Sequence, residues 1–204
     1  MKSGRLNYRE LTALKNAAEE LHNNDNEYKR AMNLEFLLYL AKVLLIALAV
    51  RAFIGEPVIV EGESMYPTLL NSERMVVEKV SYALRQPRRG EIIVCKFPGF
   101  KEKFVKRIIG LPGDELYIWD GEVYINGSPL NEKAYWNEFM RGNLQPLIVP
   151  ENTVFVMGDN RNHSSDSREA FIGPIPYEKL IGHTVAVMWP LNRLRTIPPV
   201  DYSD

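Results

Sequence analysis

The pattern of apolar and polar positions divides the chain near its first third. Leu11, Leu14, Ala18 and Leu21 recur at helical spacing, which predicts a short amphipathic helix ahead of a flexible polar stretch at residues 22–26. We interpret this first helix as a solvated element without chemistry of its own.

A nearly continuous apolar run follows at residues 36–54. As a helix, roughly 19 residues extend about 28 Å, enough to cross a hydrocarbon core. Lys42 lies near the middle of the run, where a lysine costs about 2.5 to 3.5 kcal/mol on insertion scales, and Arg51 lies near its end. Three interpretations stay open: a membrane anchor, a cleavable signal peptide with an A-x-A site at residues 47–49, and a buried helix of a soluble protein. We prefer the anchor, because the polar region ahead of the run is too long for an ordinary signal peptide.

Basic residues predict the orientation of this anchor. Arg51 follows the apolar run, whereas a larger group of basic residues precedes it and favours a cytoplasmic N-terminus. The members of this group are Lys2, Arg5, Arg9, Lys15, Lys29 and Arg30. We therefore expect a single-pass protein of the cell membrane with a cytoplasmic segment at 1–33, an anchor at 34–55 and an extracytoplasmic domain at 56–204.

Short runs rich in β-branched and aromatic residues follow from Glu56 onward. Asp120-Gly121 separates two of them and predicts a hairpin, since both central positions of a type I′ turn need positive φ. No helices alternate with the runs, so we expect a mainly β fold, an antiparallel sheet or barrel-like domain. Residues 131–145 carry no clear pattern. The predicted strands are 58–60, 74–80, 91–97, 104–109, 115–119, 122–125, 153–157 and 183–189.

Composition narrows the function classes. The net charge of -1 argues against a nucleic-acid binder, which needs a basic surplus. A single cysteine, Cys95, excludes an intramolecular disulfide and reads as a small buried residue of a strand. No cluster with metal-ligand spacing and no phosphate-binding glycine loop stands in the chain, so we expect neither a metal nor another cofactor.

Two residues carry candidate catalytic chemistry. Ser64 lies in the segment 62–69, and Lys106 lies within a strand-like apolar run at 104–111. A serine hydroxyl becomes a good nucleophile when a base takes its proton, and a lysine can be that base when burial lowers its pKa. With only three histidines in the chain, a serine-lysine dyad has little competition from a histidine-based triad.

Four ordered blocks, at residues 64–69, 89–94, 105–114 and 157–168, together resemble bacterial type I signal peptidases, in their short, single-anchor Gram-positive form. The resemblance implies that Ser64 attacks the scissile carbonyl and that Lys106 is the general base. The backbone N–H of Ser64 is the expected oxyanion donor. Gly62 stands where some members place a serine whose hydroxyl is the second donor, so that donor must come from elsewhere.

The resemblance also assigns supporting and substrate-binding residues. Ser164 is the serine that would hydrogen-bond and orient the lysine amine. The other two implied pairs are Arg107 with Asp159 and Arg168 with Asp166. Val60 and Val105 would line shallow pockets for Ala-like residues at the -1 and -3 positions of a signal peptide. Signal peptides of exported preproteins and membrane lipid are the implied partners.

Two rival classes remain. A membrane-anchored binding module could keep a β scaffold without catalysis, but the joint presence of Ser64, Lys106 and Ser164 argues against it. A self-cleaving regulator could also use a serine-lysine dyad. Such regulators need a DNA-binding domain, and in this chain an apolar segment takes its place.

Overall fold

In the computed structural model, which describes residues 8–53, 55–135 and 138–202, the N-terminal part forms one helix, α1 (Tyr8–Phe53). The expected break at residues 22–26 is wrong, because those residues are helical. Asparagine and aspartate lower helix propensity by less than about 0.7 kcal/mol each, whereas a second helix needs a new, costly nucleus. Among the described residues, none of the helices is both long and apolar enough to span a membrane.

The chain contains two compact units, with the boundary between Val50 and Arg51. The second unit is mainly β, as predicted, and every strand pairing in it is antiparallel. Its strands are β1 (Glu56–Ile59), β2 (Arg74–Glu78), β3 (Ile92–Cys95), β4 (Phe104–Gly110), β5 (Glu115–Trp119), β6 (Glu122–Ile125), β7 (Ser128–Pro129), β8 (Leu144–Ile148), β9 (Thr153–Met157), β10 (Ile175–Pro176), β11 (Leu180–Trp189) and β12 (Arg195–Thr196).

Short helical turns connect several of these strands. A four-residue helix, α2 (Ser81–Leu84), follows β2. The 3₁₀ turns are Arg161–His163, Tyr177–Lys179 and Leu191–Arg193.

The larger sheet has the order β1-β2-β11-β3-β4-β9-β10, with β12 also paired to β11. Its central strand β3 is buried at all four positions. Ile92 and Val94 belong to one apolar cluster, whereas Ile93 and Cys95 belong to another on the opposite face. Cys95 is fully buried as predicted, and burial raises the pKa of its thiol to about 12.

The smaller sheet has the order β7-β6-β5-β8. The predicted hairpin is confirmed: β5 pairs with β6, and Asp120 and Gly121 have φ of 47° and 78°. The edge strand β8 was missed by the sequence pattern, because its sequence contains Pro146 and most of its side chains are exposed. The two-residue strands are too short to show a period.

Candidate active site

The loop between β1 and β2 carries Ser64 and is called the nucleophile loop (residues 60–73). Its two ends are joined, since the N–H of Val60 donates to the carbonyl of Glu73 at 2.8 Å. Met65 and Leu69 are four residues apart, linked by a backbone hydrogen bond of 2.9 Å, and both are buried in the apolar core. This buried turn fixes the backbone that follows the serine.

Lys106 lies on β4, between β3 and β9, and its Nζ donates a hydrogen bond to Ser64 Oγ at 2.8 Å. The predicted burial of this lysine is confirmed, because the residue is only 3% exposed. Burial lowers the pKa of its amine, since an ammonium loses hydration there. The nearby charge of Asp166 opposes the shift, whereas the guanidinium of Arg168 adds to it. Arg168 thus adds a cation's repulsion to the effect of burial on the Lys106 amine.

Arg107 is fully buried and forms a two-pronged ion pair with Asp159. Its Nε donates to Oδ1 at 2.7 Å and its Nη2 to Oδ2 at 2.6 Å. The hydroxyl of Thr68 donates to the same carboxylate, and Nη1 of Arg107 donates to the carbonyl of Gly90 at 2.8 Å. One buried charge pair thus joins the nucleophile loop, β4 and the segment after β9.

Asp166 contacts the two remaining predicted supporting residues, Ser164 and Arg168. Arg168 pairs with it through Nε at 2.8 Å and Nη2 at 2.9 Å, and the hydroxyl of Ser164 donates to it at 2.8 Å. The expected hydrogen bond between Ser164 and Lys106 is absent from the described residues. A carboxylate is the stronger acceptor, so the hydroxyl turns to Asp166. Ser164 is therefore linked to Lys106 through Asp166, whose charge acts on the lysine amine.

Gly158 allows this close arrangement, a role that the sequence pattern does not show. A Cβ at this position would lie 2.3 Å from Ser164 Oγ and 2.5 Å from the carbonyl oxygen of Ser64. Asn160 was also missed: its N–H donates to the carbonyl of Ser64 at 3.0 Å and its Nδ2 to that of Glu63 at 3.1 Å. Asn160 differs from an ordinary turn asparagine in being buried. The sequence pattern does not show this burial.

The expected pocket residues differ in exposure. Val60 is 3% exposed and belongs to the apolar cluster that contains Met65, and Val105 is half-buried against the same cluster. Gly62 has a φ of +85°, and its N–H donates to Oδ1 of Asn71 at 3.0 Å. His163 is exposed.

A family model described as signal peptidase, peptidase S26, matches residues 33–189. The chain therefore belongs to the signal peptidase family, peptidase S26, which is the family that the four blocks predicted. A signal peptidase I from Leptolyngbya laminosa is 41% identical over 170 residues, which are 78% of this chain and 81% of that protein.

Two further relatives bear the same name. Signal peptidase I P of Bacillus subtilis subsp. natto is 36% identical over 181 residues, 84% of this chain and 97% of its own. A solved signal peptidase I structure from Enterococcus faecalis is 33% identical, covers 48% of this chain and 97% of that one, and has a TM-score of 0.43. By membership of this family the chain is a signal peptidase, a serine peptidase.

Proposed function

We propose that this enzyme cleaves signal peptides with Ser64 as nucleophile and Lys106 as general base. The observation that carries the proposal is the 2.8 Å separation between Lys106 Nζ and Ser64 Oγ in a buried setting. Because burial lowers the pKa of the lysine, a larger fraction of the amine is neutral and able to accept the serine proton.

The reaction proceeds through an acyl-enzyme. Ser64 Oγ bonds to the scissile carbonyl carbon while its proton passes to Nζ of Lys106, and the N–H of Ser64 donates to the oxyanion. The ammonium of Lys106 then gives this proton to the leaving amine as the peptide bond breaks. In the second half, Lys106 takes a proton from water, the resulting hydroxyl attacks the ester, and Ser64 recovers a proton from Lys106.

Supporting residues hold the two reacting atoms in place. Arg107 and Asp159 tie β4 to the nucleophile loop through Thr68. Asp166 and Arg168 act on the charge of Lys106, and Ser164 donates to Asp166. We assign these residues positioning and electrostatic roles.

Cleavage after A-x-A follows from the apolar surface beside the dyad. In our proposal an extended signal peptide lies along the strand segment of Val105 and the start of the nucleophile loop at Val60. Val60 is packed in the core and Val105 is half-buried against it, so little space remains beside them and only small residues fit at the -1 and -3 positions.

The catalytic assignment is tested with Ser64→Ala and Lys106→Ala, using a preprotein with an A-x-A site in detergent. We expect each change to lower kcat/KM roughly 10³-fold or more, since both groups take part in the bond-making step. Matched controls are Ser165→Ala and Lys101→Ala, whose side chains are exposed. Processing that survives both catalytic changes refutes the mechanism.

We further propose that residues 34–55 anchor the enzyme in a membrane, with the N-terminus cytoplasmic and the catalytic unit extracytoplasmic. The support is a run of exposed apolar side chains that covers every side of this part of α1. Its members are Leu34, Phe36, Leu37, Leu38, Tyr39, Leu40, Val43, Leu44, Leu45, Ile46 and Leu48. Consecutive apolar residues on all sides of a helix need an apolar environment.

The anchor is tested by reconstituting the protein with lipid vesicles. We expect it to float with the vesicles after alkaline washing, and a double change, Leu44→Glu with Leu45→Glu, to prevent this. A protein that is washed off the vesicles contradicts the anchor. Protease treatment of intact cells tests the orientation, because only an extracytoplasmic catalytic unit is digested.

A further inference from the structure

The C-terminal part of the chain extends beyond the family match, which ends at residue 189. We call residues 195–202 the tail; it contains β12 and a following segment without helix or strand. The tail contributes no side chain to the bond between Ser64 and Lys106. Three of its residues nevertheless contact the groups that hold these two in place.

Arg195 is the first of these residues, and it binds the nucleophile loop. Its guanidinium pairs with the buried carboxylate of Glu73 at 2.9 and 2.8 Å, and its Nη2 also donates to the carbonyl of Thr68 at 2.7 Å. The same Glu73 accepts the N–H of Leu70 at 3.0 Å. Arg195 thus fixes the half of the loop that follows the serine.

Val200 is the second contact, and it packs on the backbone of Gly90. The carbonyl of Gly90 accepts from Nη1 of Arg107 at 2.8 Å and from the N–H of Val200 at 3.4 Å. A Cβ on Gly90 would lie 2.2 Å from the carbonyl oxygen of Val200, so only a glycine admits the tail here. The tail therefore packs against Gly90, whose carbonyl accepts the hydrogen bond from Arg107.

Tyr202 is the third contact, and it acts through Tyr135. The hydroxyl of Tyr135 donates to the carboxylate of Glu132 at 2.8 Å, so Tyr202 must be the donor in the 2.7 Å contact between the two hydroxyls. The ring of Tyr135 lies 4.3 Å from Cζ of Arg107, a cation–π arrangement. Tyr202 thereby holds the ring against the guanidinium.

We propose that the tail is a positioning element of the active site. Arg107 and Lys106 are adjacent in β4, with their side chains on opposite faces of the strand. Because the two residues share this stretch of backbone, a backbone movement at Arg107 also displaces Lys106. Through Val200 and Tyr202 the tail holds Arg107, and through Arg195 it holds the nucleophile loop. The proposal rests on the dyad of the proposed function.

The test compares the full-length protein in detergent with three variants: a chain ending at Pro199, Tyr202→Phe, and Tyr124→Phe as a matched control. Tyr124 lies on β6 of the smaller sheet and its hydroxyl bonds to Glu122. The shortened chain should lose about tenfold in kcat with KM nearly unchanged, because small misplacements of reacting groups are costly. Tyr202→Phe should show a smaller loss, and Tyr124→Phe none.

The pH dependence of kcat separates positioning from a loss of folded protein, because the amount of active enzyme does not move a midpoint. Besides Ser64, the groups that interact with the lysine amine include Asp166, Cys95, Arg168 and Asp159, and all of these remain in each variant. Loosened packing admits water around Lys106, so the midpoint should move to higher pH in the shortened chain and in Tyr202→Phe.

Two results overturn the proposal: unchanged kcat and midpoint in both tail variants, or a lower Tm without either kinetic change. If the shortened chain does not fold, Tyr202→Phe decides alone. Failure of the dyad is distinguishable, because it would appear as processing by Ser64→Ala and Lys106→Ala with the tail intact.

Discussion

Lys106 is enclosed by groups that act on its charge in opposite directions. Burial disfavours the ammonium, and Arg168 adds to this, whereas Asp166 and Asp159 favour it. Desolvation is the largest of these effects, so the pKa is lowered. A lysine on an exposed strand face would stay protonated near neutral pH and could not accept a proton from Ser64.

This balance predicts the pH dependence of cleavage. Because the amine must be neutral, kcat/KM should rise with pH and level off above the pKa of Lys106, which lies below the free-lysine value of about 10.4. Initial rates measured across the pH range in detergent give the midpoint. A midpoint at the free-lysine value contradicts the role of burial.

A second residue-scale prediction concerns Gly158. In Gly158→Ala the new methyl group would meet Ser164 Oγ and the carbonyl of Ser64, so the nucleophile loop must shift and kcat should fall about 10²-fold. Gly99→Ala is the control, because it carries a φ of +82° with nothing within 4 Å of the added atom. Equal kcat in the two variants contradicts this explanation.

At the scale of elements, the larger sheet brings together segments that are far apart in the chain. β4 pairs with β3 on one side and β9 on the other, so Lys106 comes near the segment 158–168 that follows β9. The nucleophile loop joins them through Thr68 and Asn160. The smaller sheet contributes no residue to the pair of Ser64 and Lys106.

This separation predicts that damage to the β5–β6 hairpin lowers stability and leaves catalysis intact. Gly121→Ala places a Cβ 2.5 Å from the Phe139 ring at a φ of +78°, and we expect a loss of about 1–3 kcal/mol in unfolding free energy. Gly127→Ala has a φ of +82° in open space and should cost only the backbone part, about 1 kcal/mol. Urea titration gives both values, and a fall in kcat of folded Gly121→Ala contradicts the separation.

At the scale of the whole molecule, we assign different roles to the two compact units. The second unit, from Arg51 onward, contains every residue to which we assign a catalytic, positioning or pocket role. The first unit carries the exposed apolar helix surface that we assign to the membrane. A membrane-bound enzyme meets a membrane-bound substrate at a raised effective concentration.

Removing residues 1–55 should therefore leave the cleavage reaction intact and slow the encounter with a membrane-bound substrate. We expect the shortened protein to cleave a short soluble A-x-A peptide with kcat/KM within roughly threefold of the full chain, and to process a vesicle-bound preprotein about 10²-fold more slowly. Both rates are measured side by side with the full chain. Equal rates on the vesicle-bound preprotein contradict the role of the first unit.

The sequence by itself determined the family, the mainly β fold and the hairpin at Asp120-Gly121, because strand periods and turn residues are local and the four blocks are distinctive. Residues 22–26 were predicted to be flexible but are helical. Their local propensities do not reflect that extending an existing helix is easier than starting a new one. β8 was missed because an exposed edge strand needs no alternation. Of the candidate site, the sequence could name the residue types and their order.

Only the tertiary structure decided how those residues meet. It turned the hydroxyl of Ser164 toward Asp166, let the charge of Arg168 act on Lys106, and made Gly158 and Asn160 part of the site. It also brought the tail against Gly90 and Tyr135. Burial and hydrogen-bond partners depend on strands that pair across large sequence separations, so no local pattern in the chain records them.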